Sequence, residues 1–338
     1  MSKTVSLVLA RRALLLTACA LLLTALACRS PTSGKKTYQI AVIPKGTTHE
    51  FWRTIHAGAI RAERELQSAG VDVRVIWKGP LREDDREQQI QVVEGFLSQG
   101  VSGIVMAPLD ARALVRPVEE ARRAGIPVLI FDSALESTQI VSYVATDNVK
   151  GGRLAGDYMN TLLQGKGRVL MLRYQEGSAS TEAREQGFLE ALKAHTGIEV
   201  ISSEQHAGPT RDTAKRAAEN LLNRYGNQLQ GVFAVNESSA AGTLLALQDL
   251  GLAGKVKFLG FDAHQVFLDA MTRGEMHGFV LQNPFEMGYL AVKTMVQHLR
   301  GEQVSAVIDT GVTLVTPDNM NTPEMQKLLT PPVDEYLR

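Results

Sequence analysis

The side chains of this chain best suited to recognition chemistry are planar polar groups that stand where short apolar runs end. Asp132 lies near the end of PVLIFDS (127–133), Asn236 closes GVFAVN (231–236), Asp262 closes KVKFLGFD (255–262) and Gln282 closes HGFVLQ (277–282). Arg184 lies in STEAREQGF (180–188), near the start of the helical stretch that follows RVLMLRY (168–174). Carboxylate, carboxamide and guanidinium groups make paired, directional hydrogen bonds. Two adjacent aromatics, Phe51 and Trp52, follow YQIAV (38–42) in the segment IPKGTTHEFW (43–52). A neutral sugar presents hydroxyls around its edge and C–H groups on its faces, and it suits a polar rim with a ring against one face. Each polar residue alone could be a cap or a strand-end turn. The two rings could equally pack in a core, and both readings stay open for that pair.

Other chemistries find no support. The seven histidines are scattered, and no H-E-x-x-H or C-x-x-C occurs, so no metal site is expected. QGKGRV (164–169) lacks the spacing and the Ser/Thr of a P-loop, and KGGRLAG (150–156) follows the wrong residues for a dinucleotide turn. No G-x-S-x-G elbow is present. Binding without turnover and without a cofactor is the expectation. Lys+Arg and Asp+Glu both number 36, and no basic stripe points to nucleic acid.

These residues need a scaffold that brings strand ends together. From Tyr38 onward short β-type runs alternate with amphipathic stretches about ten times, among them VDVRVIW (71–77), GIVMAPL (103–109), VSYVATD (141–147) and EVISS (199–203). Helical stretches such as EDDREQQIQVVEGFLSQG (83–100) and TRDTAKRAAENLLNRYG (210–226) lie between them. Such alternation predicts parallel sheets with helices on both faces, and this many units predicts two doubly wound α/β lobes. No low-complexity linker separates them, which implies tight hinges. Thr47 and Glu50 have capping-box spacing and predict a helix from about Thr48, so Phe51 and Trp52 fall at a strand-to-helix corner.

Several of these stretches also resemble the periplasmic sugar-binding proteins of the ribose-binding type, the solute receptors of ABC importers. VATDNVKGGRLAGDYM (144–159) is the most specific; GSASTEAREQGF (177–188), VFAVNESSAAGTLLAL (232–247) and FLGFD (258–262) follow. The resemblance runs from Tyr38 to about Val315 and implies the type I periplasmic binding protein fold, two lobes joined by a three-strand hinge. Crossings then fall near Ala145–Thr146, Gln282–Asn283 and Thr310–Gly311. The N-terminal lobe holds 38–145 plus 283–310, the C-terminal lobe 146–282 plus 311–320, and 321–338 is an extension expected to wrap the surface, its helix stopped at Pro331–Pro332. The resemblance places ligand contacts on Phe51, Trp52, Asp132, Arg184, Asn236, Asp262 and Gln282, with Trp52 making the larger ring contact. It also implies permease and ATPase partners and a monomer. This chain departs from ribose binders at His49 (for Asn), Ser133 (for Arg) and Ala107 (for Asn), and it lacks an aromatic near Gly208 and Pro209. His49 and Ser133 therefore join the candidate contacts. Loss of an Arg and an aromatic predicts a roomier site, fit for a hexose, cyclitol or larger polyol. Two alternatives stand beside the importer receptor: a receptor presenting its closed form to a chemoreceptor or sensor kinase, and an exported sugar-acting enzyme.

The N-terminus reads as an export signal. Arg11 and Arg12 precede the uncharged run ALLLTACALLLTALA (13–27), too short for a membrane-spanning helix. Ala27-Cys28 then offers a lipidation site, preferred over Cys19, with RSPTSGKK (29–36) as a polar tether. The expectation is a signal peptide over 1–27, a tether over 28–37 and a lipid-anchored protein of the cell envelope. Arg29 in place of an inner-membrane retention Asp points to the outer membrane in a Gram-negative cell. Beyond Cys28 no cysteine follows, so stability must come from the core.

Overall fold

The computed structural model describes residues 37–337. The leader, Cys28 and the tether up to residue 36 lie outside the described residues.

The chain first builds β1 (Tyr38–Ile43), α1 (Glu50–Ser68), β2 (Val73–Trp77), α2 (Arg86–Gln99), β3 (Gly103–Met106), α3 (Val115–Arg123), β4 (Val128–Phe131) and β5 (Tyr143–Ala145). It crosses to a second lobe and repeats the scheme. There it forms α4 (Asn148–Leu163), β6 (Gly167–Leu172), α5 (Ala179–Lys193), β7 (Ile198–Ser202), α6 (Arg211–Tyr225), β8 (Gly231–Ala234), α7 (Glu237–Asp249), β9 (Lys257–Phe261), α8 (Gln265–Thr272) and β10 (Gly278–Gln282). Helix α9 (Pro284–Leu299) returns to the first lobe, followed by β11 (Val307–Asp309) there and β12 (Val312–Val315) in the second.

The two sheets share one topology: β2-β1-β3-β4-β5-β11 and β7-β6-β8-β9-β10-β12. Every pairing is parallel except β10 with β12. GIVM, VLIF and GVFA are buried along their whole length, as strands covered on both faces must be. Their side chains alternate between two cores. Ile40, Val42, Val105, Leu129 and Phe131 pack with residues of α1 and α9, whereas Ala41, Ile43, Ile104, Met106 and Ile130 pack with residues of α2 and α3.

The helix pairs that flank each sheet approach at glycines. A Cβ on Gly58 or Gly288 would strike the carbonyl of Phe285 or Ile55, so α1 and α9 touch backbone to backbone. Gly152 and Gly187 do the same for α4 and α5, where the carbonyls met belong to Arg184 and Val149. The second contact fixes the part of α5 that carries Arg184.

The crossing segments lie side by side. Thr310 N–H donates to Ala145 C=O at 3.0 Å, and the Thr146 hydroxyl to Gly311 C=O at 3.4 Å. Gly311 takes φ 83°, a left-handed turn between β11 and β12 that favours glycine.

Two local expectations are corrected, and one strand is added. Helix α1 begins at Glu50 with His49 as its N-cap, not at Thr48, because the Thr47 hydroxyl turns instead to Pro80 C=O at 3.4 Å. The strands PVLIFDS and KVKFLGFD end at Phe131 and Phe261, since the aspartate that follows each adopts positive φ and leaves the sheet. Val307–Asp309, which carries no strong β signal, pairs with β5 as an edge strand.

Candidate ligand-binding site

In each lobe the C-terminal strand ends face the other lobe, the position at which open α/β sheets bind ligands. His49, Phe51, Trp52, Asp132, Arg184, Asn236, Asp262 and Gln282 all line one cavity between the lobes. Ser133 does not. Its hydroxyl is fully buried and accepts from Ser180 N–H at 3.1 Å, a bond between lobes. Lys45, Glu83, Tyr174, Ser180, Thr181 and Glu237 complete the lining and escaped the sequence reading.

Asp132 (φ 61°) and Asp262 (φ 68°) follow the fourth strand of their respective lobes in the left-handed region, which costs a non-glycine residue about 1–2 kcal/mol. The strained turn swings each carboxylate out of the sheet and into the cavity. Each meets one cation. Lys45 Nζ stands 3.4 Å from Asp132 and donates to the hydroxyls of Ser178 and Ser180, both at 3.1 Å. Arg184 lies 3.9 Å from Asp262, with its guanidinium over the Phe261 ring and held by Asn148 Oδ1 (2.8 Å) and Val235 C=O (3.0 Å). Asp262 also accepts from Gln282 Nε2 at 2.7 Å and from Glu237 N–H at 3.2 Å. Burial pushes its carboxyl upward and Arg184 opposes that, with a net rise. Gln282 Oε1, buried and without a protein partner among the described residues, is an acceptor left over at the cavity wall.

Glu83 is the hub on the first-lobe side. It accepts from Trp52 Nε1–H (2.6 Å) and Tyr174 O–H (2.6 Å) and pairs with His49 Nδ1 (2.6 Å). Burial disfavours its charged form, but the His49 charge and these donors outweigh that and hold it down at about 2. Burial likewise works against a charged imidazole, yet the Glu83 carboxylate and a further carboxylate at Glu237 raise His49 to about 9. His49 is therefore a cation at neutral pH.

Glu237, the first residue of α7, crosses the cleft in the other direction. Its Oε2 accepts from Phe51 N–H at 3.3 Å and its Oε1 from Arg211 at 3.1 Å. The first turn of α1 thus finds its acidic partner in the opposite lobe. Asn236, which caps α7 by accepting from Ser239 N–H at 3.3 Å, combines the cap reading and the cavity reading. The aromatic pair combines both as well. Trp52 is only 3% exposed and belongs to the first-lobe core, while Phe51, packed edge-on against it at 5.0 Å, is partly open.

The space expected from the missing Arg and aromatic is taken up. Lys45 supplies the cation beside Asp132, and Tyr174, which closes RVLMLRY, supplies a ring from the second lobe. The void left is about 30 Å³, well below the ~300 Å³ at the small end of ligand pockets. Lys45 and Tyr174 follow buried strands as Asp132 does, and that was the available signal. Glu83 was hidden at the head of a charged stretch that reads as a solvated helix start.

The matches to known proteins agree with this geometry. A family model described as a periplasmic binding protein domain matches residues 40–303. The ribose import binding protein of Bacillus subtilis is 29% identical over 316 residues, covering 94% of this chain and 99% of the relative. A carbohydrate transporter solute binding protein from Agrobacterium radiobacter, solved in complex with D-arabinose, is 32% identical with a TM-score of 0.82, covering 87% of this chain and 99% of that one. The periplasmic component of a sugar transport system from Hahella chejuensis is 34% identical with a TM-score of 0.78, covering 82% and 99%.

Proposed function

The chain belongs to the periplasmic binding protein family, and on that premise we propose that it is the solute receptor of an ABC importer, capturing a neutral sugar or polyol between two closing lobes. The reading rests on one observation above all: Asp132 and Asp262, held by equivalent strained turns, bring paired carboxylates into one cavity from opposite lobes. Relatives described as ribose import and D-arabinose-bound proteins support a sugar as the ligand class. The charge pairing supports a neutral ligand. Glu83 has His49, Asp132 has Lys45, Asp262 has Arg184 and Glu237 has Arg211, so no charge of the cavity is left for a charged ligand to neutralise. The relatives named above are import and solute-binding proteins, which supports a binder rather than an enzyme.

A void of about 30 Å³ does not admit a monosaccharide, so capture requires the lobes to part. A ligand that touches both lobes binds the closed form better and shifts the population towards it. Thermal shift with a panel of pentoses, hexoses, cyclitols and polyols tests the ligand class, since binding stabilises the native state. A stabilising member with micromolar affinity corresponds to about 8 kcal/mol; a flat response across the panel overturns it. We further propose that Cys28 carries a lipid anchor. Cys28→Ser is expected to release the protein from the membrane fraction, and an unlipidated mature terminus by mass spectrometry would refute the anchor.

A further inference from the structure

Beyond the family match, which ends at residue 303, the chain continues past β12 into α10 (Pro323–Leu329) and α11 (Val333–Tyr336). These two short helices attach to different lobes. Met325 of α10 is buried in the second-lobe core, with Leu328 and Leu329 packed against the same cluster. In α11, Asp334 pairs with Arg53 of α1 at 2.7 Å, and Tyr336 packs on Phe285 of α9 with ring centroids 5.7 Å apart. Arg64 of α1 donates to the carbonyls of Glu335 (3.0 Å) and Tyr336 (3.2 Å). Pro331 and Pro332 form the short stiff bridge between the two helices.

The two attachments differ in kind. The α10 end is held by the buried Met325, whereas α11 buries no residue and is held by the exposed Asp334–Arg53 pair, the Arg64 bonds to two carbonyls and the Tyr336 ring, over which Arg64 also lies at 5.1 Å. A cavity of about 250 Å³ lies beneath the bridge, walled by Phe51 and Thr54 of α1, Leu268 of α8, Leu281 and Pro284 at the crossing, and Leu329. The bridge therefore spans the hinge without packing down on it.

We propose that residues 323–337 form a strap, fixed to the second lobe and releasable from the first, that favours the closed arrangement and must detach at α11 for full opening. The proposal shares with the functional reading only the parting of the lobes and is independent of which ligand binds. Arg53 follows Trp52 directly, so the strap also steadies the turn that carries Phe51 and Trp52.

The test uses hydrogen exchange at Ala111, whose N–H donates across the cleft to Gly177 C=O at 2.9 Å, with neither residue touching the strap. Ligand-free full chain is compared with a chain ending at Thr330, which retains α10, and with Asp334→Arg, Arg53→Asp and the double charge swap. Truncation is expected to speed exchange in the peptide spanning Ala111 several-fold and to raise the radius of gyration in solution scattering. Either single reversal should change the open-to-closed ratio by up to about fivefold, the scale of one exposed ion pair, and the swap should reverse the change. Unaltered Ala111 exchange and radius in the truncated chain would overturn the strap. A strap that passes while the sugar panel stays flat would leave the hinge device standing and remove the proposed ligand class.

Discussion

The Glu237 carboxylate accepts the backbone N–H of Phe51 across the cleft at 3.3 Å, so the helix start that carries the aromatic pair is completed by the opposite lobe. Closure therefore does more than cover a ligand. It finishes the wall that the ligand would touch, and the consequences can be measured.

Phe51 and Trp52 should separate in their effects. Trp52→Ala removes a core ring and the indole donor to Glu83, and is expected to lower stability by about 3–5 kcal/mol. Phe51→Ala should leave the unfolding midpoint nearly unchanged while weakening sugar binding by about 1–3 kcal/mol. Urea unfolding together with calorimetric titration decides this; equal stability losses for both variants would contradict the division of roles.

Lys45 and Asp132 should behave as a coupled pair. Lys45→Met leaves a buried carboxylate without its cation and is expected to cost about 3 kcal/mol, the lower end for one-sided removal of a buried pair. Adding Asp132→Asn, which keeps a side chain tolerant of positive φ, should recover most of that loss while binding stays impaired. A double variant no more stable than Lys45→Met would show that the two groups are uncoupled.

Arg184→Ala should abolish detectable binding. The guanidinium holds Asp262, Asn148 and the Val235 carbonyl in place, and its removal leaves the Asp262 carboxyl with burial less opposed. Each buried group left without its partner costs about 1–3 kcal/mol, yet α4 and α5 still meet at Gly152 and Gly187, so the fold should persist. Circular dichroism beside titration distinguishes lost binding from lost structure; full affinity in the variant would remove Arg184 from the site.

The His49–Glu83 pair sets a pH window. His49 is raised from 6.5 to about 9, so its contribution is complete below pH 6.5 and is lost as pH rises through about 9. Glu83 is lowered from 4.5 to about 2, so its contribution is complete above pH 4.5 and is lost as pH falls through about 2. The wild type should therefore gain its largest margin over Glu83→Gln between pH 4.5 and 6.5. Melting temperatures measured across pH 3–10 would show this margin shrink on both sides, and a flat difference would refute the pairing.

How far the sequence reached depends on how local each signal is. Alternation of buried β runs with amphipathic helices is written within a few residues at a time, and it determined the two doubly wound sheets without any long-range contact. Asp132, Asn236, Asp262 and Gln282 were legible for the same reason: each stands at or just after a strand, and parallel topology sends all such ends to one side, while Arg184 stands in the helix that follows β6. What a residue meets from the other lobe is not local. Nothing near Glu83 in the chain announces Tyr174, nothing near Glu237 announces Phe51, and the cation beside Asp132 comes from Lys45 rather than from the next residue. Thr47 shows the same limit on a smaller scale, since its capping-box spacing was sound but Pro80, brought in by the loop after β2, takes its hydroxyl. Sequence alone determined which side chains stand at the strand ends. Only the tertiary structure decided how they pair, because hydrogen-bond partners across a cleft are chosen by distance in space, and the void that remains is what those pairings leave.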